Sequence, residues 1–211
     1  MQPLQDSSLQ SLLQTGKLWQ AGQQSESSQL RIATGHQGLD ETLHGGLQIG
    51  QLHEVQVPRW FCGEVSLLRG ALKKAGEQQE PVFWLNPPAT PYAAGLSYIG
   101  SAPASHIVLT ELGEDEAVWA LELILRAGCA AVAAAWCSSL SATAARRLQR
   151  AVQGTSTLAV IFSAPVSTEA RSYQTRLRAH LEHGQLRWQI IKRPGGWPCE
   201  LDWEAVPTWR S

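Results

Sequence analysis

The sequence predicts an α/β protein built on a mostly parallel sheet with helices on both faces, carrying a degenerate nucleotide-binding loop and a short N-terminal helical arm. Three observations carry this. From Arg31 onward, strand-like and helix-like segments alternate. The strand-like pieces are short apolar runs, as in Val82–Leu85, Ala130–Trp136 and Leu158–Phe162, the pattern of strands covered on both sides. A glycine-containing run-in then leads through a strand into a loop that lacks phosphate-binding chemistry. With 211 residues and 44% hydrophobic content, the chain can bury one core and is short for two.

Residues 1–29 read as an arm and linker. Asp6 to Thr15 places Leu9, Leu12 and Leu13 on one helical stripe, with Asp6 or Ser7 as N-cap and Gly16 as stop. Leu18-Trp19 reads as an isolated extended piece, and Gln20 to Gln29 as a polar linker with little to bury. The core is expected over 30–193. It contains strand Leu52–Val57, helix Glu64–Ala75 closing near Gly76, strand Val82–Leu85, a short helix Thr90–Gly100, and strand Ile107–Leu109.

Asp115–Ala127 is the clearest helix: Ala117, Leu121, Ile124 and Leu125 share a face, the first turn is acidic, and Gly128 ends it. Strand Ala130–Trp136 follows. Ser141–Gln153 is a second helix, with Ala145, Leu148, Ala151 and Val152 inward and Arg146, Arg147 and Arg150 outward. After the buried strand Leu158–Phe162, two edge-type strands, Thr175–Glu182 and Gln185–Arg193, form a hairpin through His183-Gly184. The tail 194–211 reads as irregular.

The loop after the first core strand is the most informative segment. Ile32-Ala-Thr-Gly35, Leu39-Asp40, Gly45-Gly46-Leu47, Gly50 and Glu54-Val55 look like the run-in to a RecA-type ATPase core, where a glycine-rich loop ending Gly-Lys-Thr/Ser should follow. The chain reads instead Val57-Pro58-Arg59-Trp60-Phe61-Cys62-Gly63-Glu64. A phosphate cradle needs small residues that let successive N–H groups turn inward, and a cation on the phosphates. Trp60 and Phe61 fill that space. The Glu64 carboxylate would repel a phosphate by about 1 kcal/mol in water and several times more when partly buried.

Two further positions of such a core are also changed. The strand Val82–Leu85 runs into Asn86-Pro87-Pro88, without the acid that activates water, and Ala130–Ala135 ends in Trp136 in place of a magnesium-supporting aspartate. No Gly-x-x-x-x-Gly-Lys-Ser/Thr exists in the chain. These losses predict a protein that is not an ATPase and needs no cofactor.

Composition removes other classes. A formal net charge of −1 creates no global attraction to nucleic acid or anionic membrane, so any DNA contact would be local. The candidates are the basic helix face Arg146, Arg147 and Arg150, and the cluster Arg171, Arg176 and Arg178. The N-terminus has no signal-peptide pattern and no stretch approaches a membrane span, which predicts a cytoplasmic protein. Cys62, Cys129, Cys137 and Cys199 form no C-x-x-C pair and read as reduced, buried thiols. His180 and His183 fall on opposite sides of a strand, so no metal site is expected. Nine tryptophans exceed what such a core requires; loop residues such as Trp197 and Trp203 become candidate partner contacts.

The Thr34-Gly35, Leu39-Asp40, Gly45-Gly46-Leu47, Gly50 and Glu54 spacing is joined by Pro91-Tyr92, Trp119-Ala-Leu-Glu122, Arg126-Ala-Gly128, Leu148-Gln149 and Lys192-Arg193-x-Gly-Gly196. Together these resemble the ImuA family, RecA-like and SulA-related bacterial proteins without ATPase motifs, encoded with the ImuB pseudo-polymerase and an error-prone replicative polymerase. The resemblance implies a RecA-like fold and an accessory role in mutagenic translesion synthesis during the SOS response. It implies ImuB and RecA as partners, with Leu9, Leu12, Leu13, Leu18 and Trp19 docking on RecA or folding back on the chain's own core. The segment from Phe83 to about Pro165 resembles SulA-type inhibitors of the division protein FtsZ equally well, but those lack the run-in and the closing Lys-Arg-x-Gly-Gly.

Overall fold

The computed structural model describes residues 30–138, 140–165, 172–182 and 185–201. The expected arm with Leu9, Leu12, Leu13, Leu18 and Trp19, the turn at His183-Gly184, and the candidates Arg171 and Trp203 lie outside the described residues.

The chain from Leu30 first makes a small antiparallel pair, β1 (Arg31–Ile32) with β2 (Leu47–Gln48), around a short helix α1 (Gln37–Thr42). The sequence reading assigned no elements here. The run-in motif is a structural bracket: the Asp40 carboxylate accepts from the Thr34 N–H and hydroxyl, both at 2.8 Å, and from the Gly35 N–H at 3.1 Å. Gly46 (φ 105°) needs to be glycine because a Cβ there would lie 2.1 Å from the Ile32 carbonyl oxygen.

The main sheet contains β3 (Leu52–Gln56), β4 (Val82–Leu85), β5 (His106–Leu109), β6 (Val132–Trp136), β7 (Leu158–Ser163), β8 (Thr175–Glu182), β9 (Gln185–Lys192) and β10 (Cys199–Glu200). Its spatial order is β10-β9-β8-β3-β7-β6-β4-β5. The strands from β8 to β5 pair in parallel, while β9 and β10 are antiparallel. The mostly parallel α/β sheet expected from sequence is therefore present. β10 departs from the irregular tail expected there and carries the sheet past Arg193. Arg193 helps hold it: its guanidinium donates to the Thr42 carbonyl at 2.6 Å and the Trp197 carbonyl at 3.3 Å.

Helices α2 (Arg69–Gln78), α3 (Ala93–Tyr98), α4 (Glu114–Ala127) and α5 (Ala142–Val152) complete the fold. Leu72 of α2 and Leu96 of α3 pack with Val55, Trp84 and Phe162 on one face of the sheet. Leu121 and Leu125 of α4, with Leu148 and Val152 of α5, cover Leu52, Ala135 and Ile161 on the other. Both of these helices are capped at their N-termini: the Glu116 carboxylate accepts from the Gly113 N–H at 3.0 Å, and Ser141 Oγ accepts from the Ala144 N–H at 3.1 Å.

Two helix boundaries differ from expectation. The expected helix from Glu64 begins with a 3₁₀ segment, Glu64–Leu68, and becomes α-helical only at Arg69. The expected Thr90–Gly100 helix shrinks to Ala93–Tyr98, because Pro91 biases Thr90 away from helical dihedrals. The pair Leu148-Gln149 has a direct role in joining layers. Leu148 is buried under α5, while Gln149 accepts from the Leu52 N–H at 3.1 Å and donates to Gln51 at 2.6 Å, tying α5 to the start of β3.

Candidate functional site

The loop that carries Trp60, Phe61, Cys62 and Gly63 leaves the carboxyl end of β3. Phe61 (φ 63°) and Gly63 (φ 97°) both have left-handed dihedrals, which turn N–H groups of the loop toward one point, a concavity suited to an anion. The anion present is the chain's own. The Glu64 carboxylate, only 2% exposed, accepts from the Phe61 N–H at 3.3 Å and the Cys62 N–H at 3.0 Å. The Trp136 indole N–H adds a third contact at 3.5 Å. The residue that sequence reasoning treated as a repulsive group beside phosphate is folded back into the place an anion would take.

Asn86 and Trp136, where the sequence comparison expected ATPase acids, also have structural roles. Asn86, just past β4, takes a left-handed φ of 49° and clamps the loop after β5: its side chain accepts from the Leu112 N–H at 3.0 Å and donates to the Leu112 carbonyl at 2.8 Å. Asparagine suits this conformation, which a glutamate there would disfavour. Trp136 stacks between Trp84 and Phe162, with ring centroids 5.9 and 4.7 Å away.

These pieces border a cavity of about 490 Å³ at the carboxyl ends of β3, β4 and β6. Its walls include Leu72, Trp84, Leu96, Ile99 and Trp136, and its mouth is flanked by Phe61 and Tyr92. The Trp84 indole N–H donates to His106 Nδ1 at 2.8 Å, just as that of Trp136 is used on Glu64. Both rings therefore turn spent polar edges inward and offer carbon to the cavity. Burial lowers the His106 pKa below its ordinary value, consistent with a neutral ring that accepts from Trp84.

A second buried polar cluster lies beside it in the sheet. Glu54 on β3, 3% exposed, pairs with the equally buried Arg176 of β8 at 2.6 Å and accepts from Gln56 and Ser163, each at 3.3 Å. Lys192 donates to the Tyr173 carbonyl at 2.6 Å, and its pKa is lowered by burial and then by the nearby Arg176 charge.

This geometry sorts the sequence-level candidates. Arg176 is corrected from a possible DNA contact to an interior brace, since a guanidinium committed to Glu54 at 3% exposure is not offered to phosphate. Arg178 is half-buried and donates to Gln56 at 2.9 Å. On α5, Arg147 pairs with buried Glu122, which also holds Arg126 at 2.7 Å and so joins α4 to α5. Arg146 and Arg150 are exposed on the same helix, and Trp197 is 86% exposed. The cysteines are free but not buried as expected: Cys129 is exposed and the other three are half-buried, although burial, then the Glu114 charge, raises the Cys137 pKa to about 11. Among the described residues, no helix is long and apolar enough to cross a membrane.

The aromatic cavity itself was missed in sequence. Its signal was present in the run Asn86 to Ser105, which carries no charged residue while including Pro87, Pro88, Pro91, Tyr92 and Tyr98. No protein-family model and no curated protein matches the chain in sequence.

Proposed function

We propose that this chain is a non-catalytic, RecA-like accessory protein of SOS-induced mutagenic translesion DNA synthesis. It acts in the cytoplasm by binding the ImuB pseudo-polymerase and RecA, and through ImuB serves an error-prone replicative polymerase. The observation that supports a binding role over a catalytic one is the Glu64 carboxylate seated on the loop N–H groups. A nucleotide phosphate entering there would meet a buried carboxylate and a loop whose Phe61 and Cys62 N–H groups are already used. Asn86 and Trp136, at the other two positions where an ATPase would carry acids, serve the loop after β5 and the aromatic stack. The parallel order of β8, β3, β7, β6, β4 and β5, with the loop following β3, is compatible with the RecA-like reading.

The test is co-sedimentation and pull-down of the purified chain with RecA, the cognate ImuB and FtsZ, with and without residues 1–24, alongside an ATP hydrolysis assay. Binding to RecA or ImuB without ATP turnover is expected. Loss of the RecA signal on truncation assigns that contact to Leu9, Leu12, Leu13, Leu18 and Trp19. Measurable ATP hydrolysis, or binding to FtsZ that blocks its polymerisation, overturns the reading; the latter makes the chain a SulA-type division inhibitor.

A further inference from the structure

We propose that the free edge of β9 is a strand-docking site whose occupant is the chain's own C-terminal segment, with residues 202–205 continuing β10 along it as a latch. Strand β9 spans Gln185–Lys192, yet among the described residues β10 pairs only with its Ile190 and Gln189. The Leu201 N–H donates to the Trp188 carbonyl at 3.2 Å, which carries the same register one residue past β10 and makes Leu201 and Trp188 a hydrogen-bonded pair. By the alternation of an antiparallel ladder, Asp202 then falls opposite Arg187 as a non-hydrogen-bonded pair, and Trp203 opposite Leu186 as the next bonded one. Without an occupant the Leu186 backbone faces outward from the sheet, the kind of edge that invites pairing with another chain.

The sequence fits this register on both faces. Cys199-Glu-Leu-Asp-Trp-Glu-Ala205 alternates apolar and acidic residues without a break, the period of a half-buried strand, and Pro207 ends the pattern. On one face Cys199 and Leu201 already pack against the core that holds Ile190 and Trp188; Trp203 takes the next place, against Leu186 of the same core. On the other face Gln189 donates to Glu200 at 3.4 Å, and Asp202 takes the next place beside Arg187, whose Nε is held by Glu182 at 2.7 Å. Register and apolar alternation therefore select the segment, and the added charge pair is secondary. Tethering selects it over other strands: a segment joined at Leu201 meets this edge at an effective concentration on the order of millimolar, far above that of an unlinked partner. The latch also reaches the loop that carries Glu64, since a Cβ at Gly63 would lie 3.9 Å from Leu186 Cδ2. Trp203 is thereby assigned to closing the sheet beside that loop, a role independent of the translesion reading.

Two measurements on the full chain test the latch. Arg187→Cys combined with Asp202→Cys places thiols at a non-hydrogen-bonded pair, where Cα atoms lie about 4.5 Å apart and a disulfide can close. Oxidised glutathione is expected to give a 187–202 bond within one chain, identified by peptide mass mapping. The same cysteine at 187 combined with Thr208→Cys, beyond Pro207, is expected to close about tenfold more slowly or less, because a residue off the ladder meets it only by chance collision. Hydrogen exchange at the Leu186 N–H is expected to be about tenfold slower or more in the unaltered chain than in Trp203→Pro, which has no N–H to give the Leu186 carbonyl. Equal closure rates at 202 and 208 overturn the proposal, as does Leu186 exchange that Trp203→Pro leaves unchanged. A 187–202 bond that links two chains also overturns it, because the occupant is then the tail of a second copy. Melting temperatures report that each variant keeps the fold, and if Trp203→Pro does not, the cross-link alone decides.

Discussion

Glu54 and Glu64 are the same residue type, one in β3 and one in the loop that follows it, and both are buried, yet they are stabilised in different ways. Glu54 is held by the Arg176 guanidinium from the neighbouring strand, so its charge is neutralised across the sheet. Glu64 is held by N–H groups of its own loop and one indole. The first arrangement braces the architecture. The second does what a bound anion does for a loop of inward-turned amides, with the anion supplied by the chain. The comparison teaches that residue type and burial alone are a poor guide to a carboxylate's role, which is set by the donors around it, remote for Glu54 and mostly local for Glu64.

The largest effect is expected from breaking the first arrangement. Arg176→Met leaves Glu54 buried without its cation and should cost about 3–5 kcal/mol in urea unfolding. Adding Glu54→Gln to that background should recover much of the loss. A single variant within 1 kcal/mol of the parent would show that the pair contributes nothing net.

A pH titration probes the same strand from its other side. His53 is fully buried and its Nε2 sits 2.8 Å from the Gln48 carbonyl; burial pushes its pKa down to about 4 from the ordinary 6.5. Between those values the unfolded chain takes up a proton that the folded chain refuses. Stability should therefore fall as pH drops from about 6.5 to about 4, by on the order of 3 kcal/mol, and this component should level off below. Chemical denaturation at a series of pH values measures the slope, and His53→Asn should flatten it. An unchanged slope in that variant would assign the acid sensitivity to other groups.

The Glu64 arrangement is tested by removing its anion. Glu64→Ala should destabilise the chain by about 1–3 kcal/mol, the cost of leaving buried N–H groups without an acceptor. Millimolar inorganic phosphate, but not chloride at matched ionic strength, should then raise the melting temperature of the variant and leave the parent unmoved. Equal responses of the two proteins would mean that the loop is not an anion nest.

Much of the fold was legible in the sequence. The amphipathic spacing of Ala117, Leu121 and Leu125, that of Ala145, Leu148 and Val152, and the apolar runs of β4, β6 and β7 each encode an element through contacts along one helix face or one strand. Prediction failed where the deciding contact, local or remote, leaves no hydrophobic period. The 3₁₀ start at Glu64 accompanies a side chain turned back onto Phe61 and Cys62, and β10 exists because Cys199 and Glu200 reach the free edge of β9. Neither event leaves a periodic trace.

The candidate site divides the same way. The sequence by itself determined that a phosphate loop is missing, because a lysine and a run of small residues either are present or are not, and their chemistry has no local substitute. Only the tertiary structure decided that the Trp136 indole reaches Glu64, that Arg176 belongs to Glu54 instead of the surface, and that Trp84, Trp136 and Tyr92 share one cavity. The physical reason is distance along the chain. Hydrogen bonds, ion pairs and cavity walls depend on which residues meet, and here they meet through parallel strands whose spatial neighbours are separated in sequence by whole helices.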